Sequence, residues 1–144
     1  MTNKVGDVLP NEEFAVALTF DTGNRKAETV DVQINSAAPT KSGSVSGITI
    51  DEDSVSSQYS EGLSSGSTLV ITNGEYTNDT ELNYDSIMIT TLLFDKDGNI
   101  IGAGTDDQWN AVKGTRPFEI YSNFMGDKDD VASTKNYSHV YKMN

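Results

Sequence analysis

Apolar side chains recur at every second position through most of this chain, and a period of two is the geometry of a strand with one buried face. In "FAVALTF", Phe14, Val16, Leu18 and Phe20 fall on one side, and Ala15, Ala17 and Thr19 on the other. "VDVQIN" repeats the pattern, with Val30, Val32 and Ile34 inward and Asp31, Gln33 and Asn35 outward. Between them "DTGNRK" reads as a hairpin-type turn in which Gly23 can take a positive φ. "SGITI", "STLVITNGEY", "NIIGAG", "RPFEIYSNF" and "SHVYKM" read as further strands. "SIMITTLLF" is apolar on both faces, with Ile87, Ile89 and Leu93 against Met88, Leu92 and Phe94, which places it in the middle of a sheet or sandwich. A 3.6-residue apolar period is missing throughout. Only "TDDQWNAVKG" has room for one helical turn, in a polar loop, capped by Thr105 or Asp106. About eight antiparallel strands at short spacing predict an all-β sandwich or barrel.

A chain of 144 residues suits one domain with its own core, taken as residues 1–144. The stretch "DEDSVSSQYSEGLSSGST", residues 51–68, is rich in Ser, Gly and acids and is expected to be a mobile loop or a linker. The early strands before it are too short a piece to make a sandwich alone, so they are expected to complete the same sheets. The net charge is -12, which sets the surface against nucleic acid phosphates. Cysteine is absent, which excludes disulfides, thiol nucleophiles and thiolate-held metals. Apolar runs all fall short of the roughly 18–20 residues that a membrane span needs. The opening "MTNKVGDVLPNEEF" lacks the basic-then-apolar pattern of a signal peptide.

Residues 69–121 carry a resemblance. "LVITNGEYTND" leads a strand into Gly74 and Asn78, and the next strand ends in the aromatic–acid pair Phe94–Asp95. Asp97–Gly98 forms a turn, Ile101–Gly102 follows it, and Gly114 and Phe118 open the next strand. This order resembles the FxLYD domain of bacterial and archaeal envelope proteins, with residues 69–144 as the FxLYD-like part. Phe94 stands where that family usually has Tyr, and Lys113 where it often has Pro. The resemblance implies an immunoglobulin-like β-sandwich in the cell envelope or outside the cell. It implies no catalytic residues and no cofactor.

Several residues are candidates for chemistry. "DKDGN" resembles the start of a calcium loop, but counting from Asp95 puts Gly98 at position four and Asp106 at twelve, where an EF-hand needs Gly at six and a bidentate Glu. A tight turn with Gly98 at positive φ, and Asp95 or Asp97 bonding nearby N–H groups, fits better. "MGDKDDVAS" gathers Asp127, Asp129 and Asp130 in a loop that would suit Ca²⁺, with Asp106 and Asp107 as further acids that could converge on it. Trp109, flanked by Gln108 and Asn110, is either a carbohydrate-stacking indole or a plug closing the end of the sandwich. His139 is the sole histidine and stands on a strand with no nucleophile signature near it. Asn78 and Asn136 fit the Asn-x-Ser/Thr glycosylation pattern.

The resulting expectation is a non-catalytic envelope-associated or secreted module. It would act by contact with a protein or cell-surface component, or as a spacer. A carbohydrate-binding module stabilised by Ca²⁺ is the alternative, and a hydrolase with an unrecognised site comes third.

Overall fold

The computed structural model describes Ala15 and residues 47–143. Within them the chain forms β1 (Ile48–Glu61), β2 (Ser67–Asn78), β3 (Tyr84–Phe94), β4 (Ile100–Ala111), β5 (Gly114–Met125), a 3₁₀ turn at Lys128–Asp130 and β6 (Ser133–Met143). The strands make two three-stranded antiparallel sheets. Sheet A has the order β1-β2-β5 and sheet B the order β4-β3-β6. Apart from Ala15, the two expected strands at 14–20 and 30–35, and the turn between them, lie outside the described residues.

The sheets face each other across a shared core, the arrangement of a β-sandwich. Tyr76, Phe118 and Ile120 of sheet A pack with Tyr84, Ile87, Ile89 and Val140 of sheet B, and Val70, Leu93 and Phe124 form a second cluster. β5 shows why alternation predicts this so well: Phe118, Ile120, Ser122 and Phe124 are buried while Pro117, Glu119, Tyr121, Asn123 and Met125 are exposed. β3, apolar on both faces, is the central strand of sheet B. Gly74 of β2 sits opposite Phe118 of β5, and a Cβ on it would lie 2.7 Å from the Phe118 ring. Glycine is therefore what lets that ring approach the β2 backbone this closely.

Two expectations are corrected. Residues 51–61, read as part of a mobile loop or linker, belong to β1 and pair with β2 along its length. β1 is an edge strand whose side chains are mostly exposed, so its ladder rests on backbone hydrogen bonds rather than on an apolar face. A bulge between Asp51 and Ser56 breaks its register, held by Ser54 Oγ, which donates to Asp51 O at 2.7 Å and accepts from Glu75 N at 2.9 Å. The turn proper is confined to residues 62–66. The second correction concerns "TDDQWNAVKG": residues 105–111 continue β4, with Asp106 opposite Ile89 and Trp109 opposite Ser86, and form no helical turn. The long partner strand β3 pairs with all of them except Asn110, which has a positive φ of 53°, and this pairing outweighs their weak strand propensity.

Candidate binding surface

Directly opposed residues in an antiparallel ladder share a face, so the register reports what each sheet shows to its outer side. The outer face of sheet A carries five cross-strand rows. These are Thr49–Thr77–Thr115, Asp51–Glu75–Pro117, Ser56–Asn73–Glu119, Gln58–Ile71–Tyr121 and Ser60–Leu69–Asn123, with Met125 beyond them opposite Ser67. Leu69 and Ile71 are half-buried, whereas Tyr121 is 56% and Met125 73% exposed. Carboxylates from Asp51, Glu75 and Glu119 gather toward the other end of the face. The Tyr121 hydroxyl donates to Glu119 Oε1 at 2.5 Å. That hydrogen bond, followed by the carboxylate's charge, raises the phenol above its ordinary pKa.

The outer face of sheet B differs. It presents Met88, Thr90, Leu92 and Phe94 of β3 beside His139, Tyr137, Lys135 and Ser133 of β6. Thr90 is 1% and His139 3% exposed, although both stand on the side away from the core formed by Ile87, Ile89 and Leu93. His139 lies opposite Met88. It is not among the residues around the open depression, of about 820 Å³, between the 62–66 turn and Gly126–Lys128.

The residues singled out from sequence fall as follows. Asp95 closes the β3–β4 turn: Asp95 Oδ1 accepts from Asp97 N at 2.9 Å and Asn99 N at 2.8 Å, and Oδ2 accepts from Asn99 Nδ2 at 2.9 Å. Gly98 has φ 80°. The Asn99 side chain, then its backbone N–H, holds the Asp95 carboxyl below its ordinary pKa. The stretch is a turn, and its acid is occupied by the chain's own donors.

The acidic loop is likewise a turn whose acids bond its own backbone. Asp127 caps the 3₁₀ turn, accepting from Asp129 N at 3.0 Å, while Asp130 Oδ2 accepts from Asp127 N at 2.9 Å in a capping box. Among the described residues no group of three or more His, Cys, Asp or Glu is placed to hold a metal ion. Asp106 and Asp107 stay on β4, where Asp106 Oδ2 accepts from Gln108 Nε2 at 2.7 Å.

Trp109 lies on β4 and is 67% exposed, so it does not plug the core. The strand is pinned just beyond it, where Arg116 Nη1 donates to Asn110 O at 2.8 Å. Asn78 and Asn136 are buried. Asn78 Nδ2 donates to Leu82 O and Ala111 O at 2.9 and 2.8 Å, and Asn136 Oδ1 accepts from Thr91 Oγ1 at 2.7 Å. Their amides are structural latches and are closed to glycan attachment in the folded chain.

Sequence reading missed the outer face of sheet A. Its signal was present in β5, where Tyr121 and Met125 share the parity of Pro117 and Glu119. In β2 the signal is masked, because the inward parity contains Thr72 and Gly74 while the outward one contains Leu69 and Ile71.

Comparison with known proteins adds little. No family model matches this chain, and no curated protein matches it. Among solved structures, a β-glucuronidase from glycoside hydrolase family 2 is similar at 16% identity with a TM-score of 0.44, over 52% of this chain and 8% of that enzyme's chain.

Proposed function

We propose that this chain is a non-catalytic, immunoglobulin-like module of a secreted or envelope-associated protein, of the FxLYD kind, working by contact with a protein partner. One observation carries the reading: the outer face of sheet A leaves Tyr121 and Met125 largely in water beside Leu69 and Ile71. Aromatic residues and Met are enriched where proteins meet, and clustered exposed apolar side chains mark interaction sites. The FxLYD resemblance of residues 69–121 points to the same kind of module. The test immobilises the chain and exposes it to extracted envelope proteins. A discrete partner is expected to be retained by the wild type and lost with Tyr121→Ser plus Met125→Ser. Retention that is indifferent to both substitutions would count against the reading.

Carbohydrate binding at Trp109 is the second reading, favoured by an indole that is 67% exposed on a strand and flanked by Gln108 and Asn110. A planar apolar ring beside amide groups suits a sugar face. Trp109 is the sole tryptophan, so its fluorescence reports binding directly. A sugar that shifts this emission, with the shift abolished by Trp109→Ala, is the expected sign. An unchanged spectrum across a glycan panel ends this second reading.

A further inference from the structure

Resting on the contact reading above, we infer that the outer face of sheet A docks a basic polypeptide that also presents apolar side chains. The outward positions of β1, β2 and β5 carry three carboxylates, Asp51, Glu75 and Glu119, and no lysine or arginine at all. Arg116 stands at the opposite parity, opposite Tyr76. The apolar part of the face, Leu69, Ile71, Tyr121 and Met125, adjoins the acidic part directly: Tyr121 donates its hydroxyl to Glu119. A ligand that covers the face therefore meets apolar groups at one end and uncompensated negative charge at the other.

This charge pattern chooses between occupants. A second copy docked face to face brings no cation in any register, since its own outer face has none; it would bury carboxylates unpaired, at a cost. Nucleic acid and anionic lipid are repelled by a chain of net charge -12. A polypeptide with Lys or Arg beside Leu- or Val-type residues satisfies both ends, the charges steering and orienting it while the apolar groups hold it. Three strands about 4.8 Å apart and ten residues of about 3.4 Å rise give a face of roughly 500 Å². That is below the roughly 800 Å² per partner of a stable interface, so the complex is of the transient, salt-sensitive kind.

The experiment measures fluorescence anisotropy of a labelled peptide of about twelve residues alternating Lys and Leu, with Glu/Leu and Lys/Ser peptides as controls. The protein is the full chain, as wild type, as Asp51→Asn/Glu75→Gln/Glu119→Gln, as Tyr121→Ser/Met125→Ser, and as Asp97→Asn/Asp106→Asn/Asp107→Asn. The last neutralises three carboxylates away from the face, and circular dichroism confirms the fold of each. Binding of the Lys/Leu peptide is expected to weaken at least about tenfold in both face variants, and by no more than about twofold in the matched control. The Glu/Leu peptide should not bind, and the Lys/Ser peptide only weakly. Equal loss in the matched control reduces the effect to net charge and overturns the inference. So does full binding by Tyr121→Ser/Met125→Ser, by the Glu/Leu peptide, or by a second copy of the chain in place of the peptide. If the envelope partner needs Tyr121 and Met125 but tolerates loss of the three carboxylates, the basic partner falls and the contact reading stands.

Discussion

The two sheets of this sandwich turn very different outer faces away from their common core. On the middle strand of sheet B, Thr90 is 1% exposed, and the neighbouring His139 is 3% exposed. On sheet A the corresponding central residues, Ile71 and Asn73, are half-buried, and the edge strand beside them leaves Tyr121 56% exposed. Both faces are built from mixed polar and apolar side chains, and Met88, Leu92 and Phe94 are half-buried just as Leu69 and Ile71 are. What separates the faces is one pair on each: Thr90 and His139 are closed to water on sheet B, and Tyr121 and Met125 are open to it on sheet A. The open pair is the one proposed to meet a partner.

Breaking this contrast gives the largest predicted effect. Thr90→Asp places a charge where no water reaches and should lower unfolding stability by about 3 kcal/mol or more. Ile71→Asp, at the middle of the opposite face, should cost about 1 kcal/mol. Urea unfolding of the pair measures both, and similar losses would erase the distinction. A gentler comparison uses the methionines: Met88→Ser should cost about 1 kcal/mol and Met125→Ser less than about 0.5 kcal/mol. The smallest effect is electrostatic. Tyr121 keeps its proton to higher pH than a free tyrosine because of Glu119. Its small contribution to stability is therefore complete below the unfolded phenol pKa near 10.0 and disappears as pH rises through the raised folded value. In a spectrophotometric titration, Glu119→Gln should bring this phenol back toward its ordinary range. A titration that the substitution leaves unmoved would mean that the Tyr121–Glu119 bond does not persist in solution.

How far the sequence speaks depends on what each residue faces. β5 was legible residue by residue, because its inward Phe118, Ile120 and Phe124 contrast with outward Glu119 and Asn123. The turn at Asp95–Asn99 was equally legible, since an Asp that bonds three donors and a Gly at φ 80° are local chemistry. β1 was legible only at its start, in "SGITI", because "SVSSQYSE" is an exposed edge whose ladder is made by the backbone of β2, and serine carries no pattern that reports it. Trp109 was placed in a loop for a related reason: β4 runs on past Asp106 and Asp107 only because β3 is long enough to pair with it. The acids of "GDKDD" could be counted from sequence, but their use as caps depends on where the backbone N–H groups point. The candidate surface was the least legible part. It is defined by which parity of β2 faces the core, and Thr72 and Gly74 on the inward side leave that parity unmarked.

Methionine oxidation tests the central contrast most directly, because Met88, half-buried, lies on the outer face of sheet B and Met125, 73% exposed, on that of sheet A. Dilute peroxide followed by peptide mass spectrometry reads the rate of sulfoxide formation at each. Met125 should oxidise at least about tenfold faster than Met88. Addition of the Lys/Leu peptide should slow Met125 alone. Equal rates, or protection of Met88 in place of Met125, would contradict the assignment of the two faces.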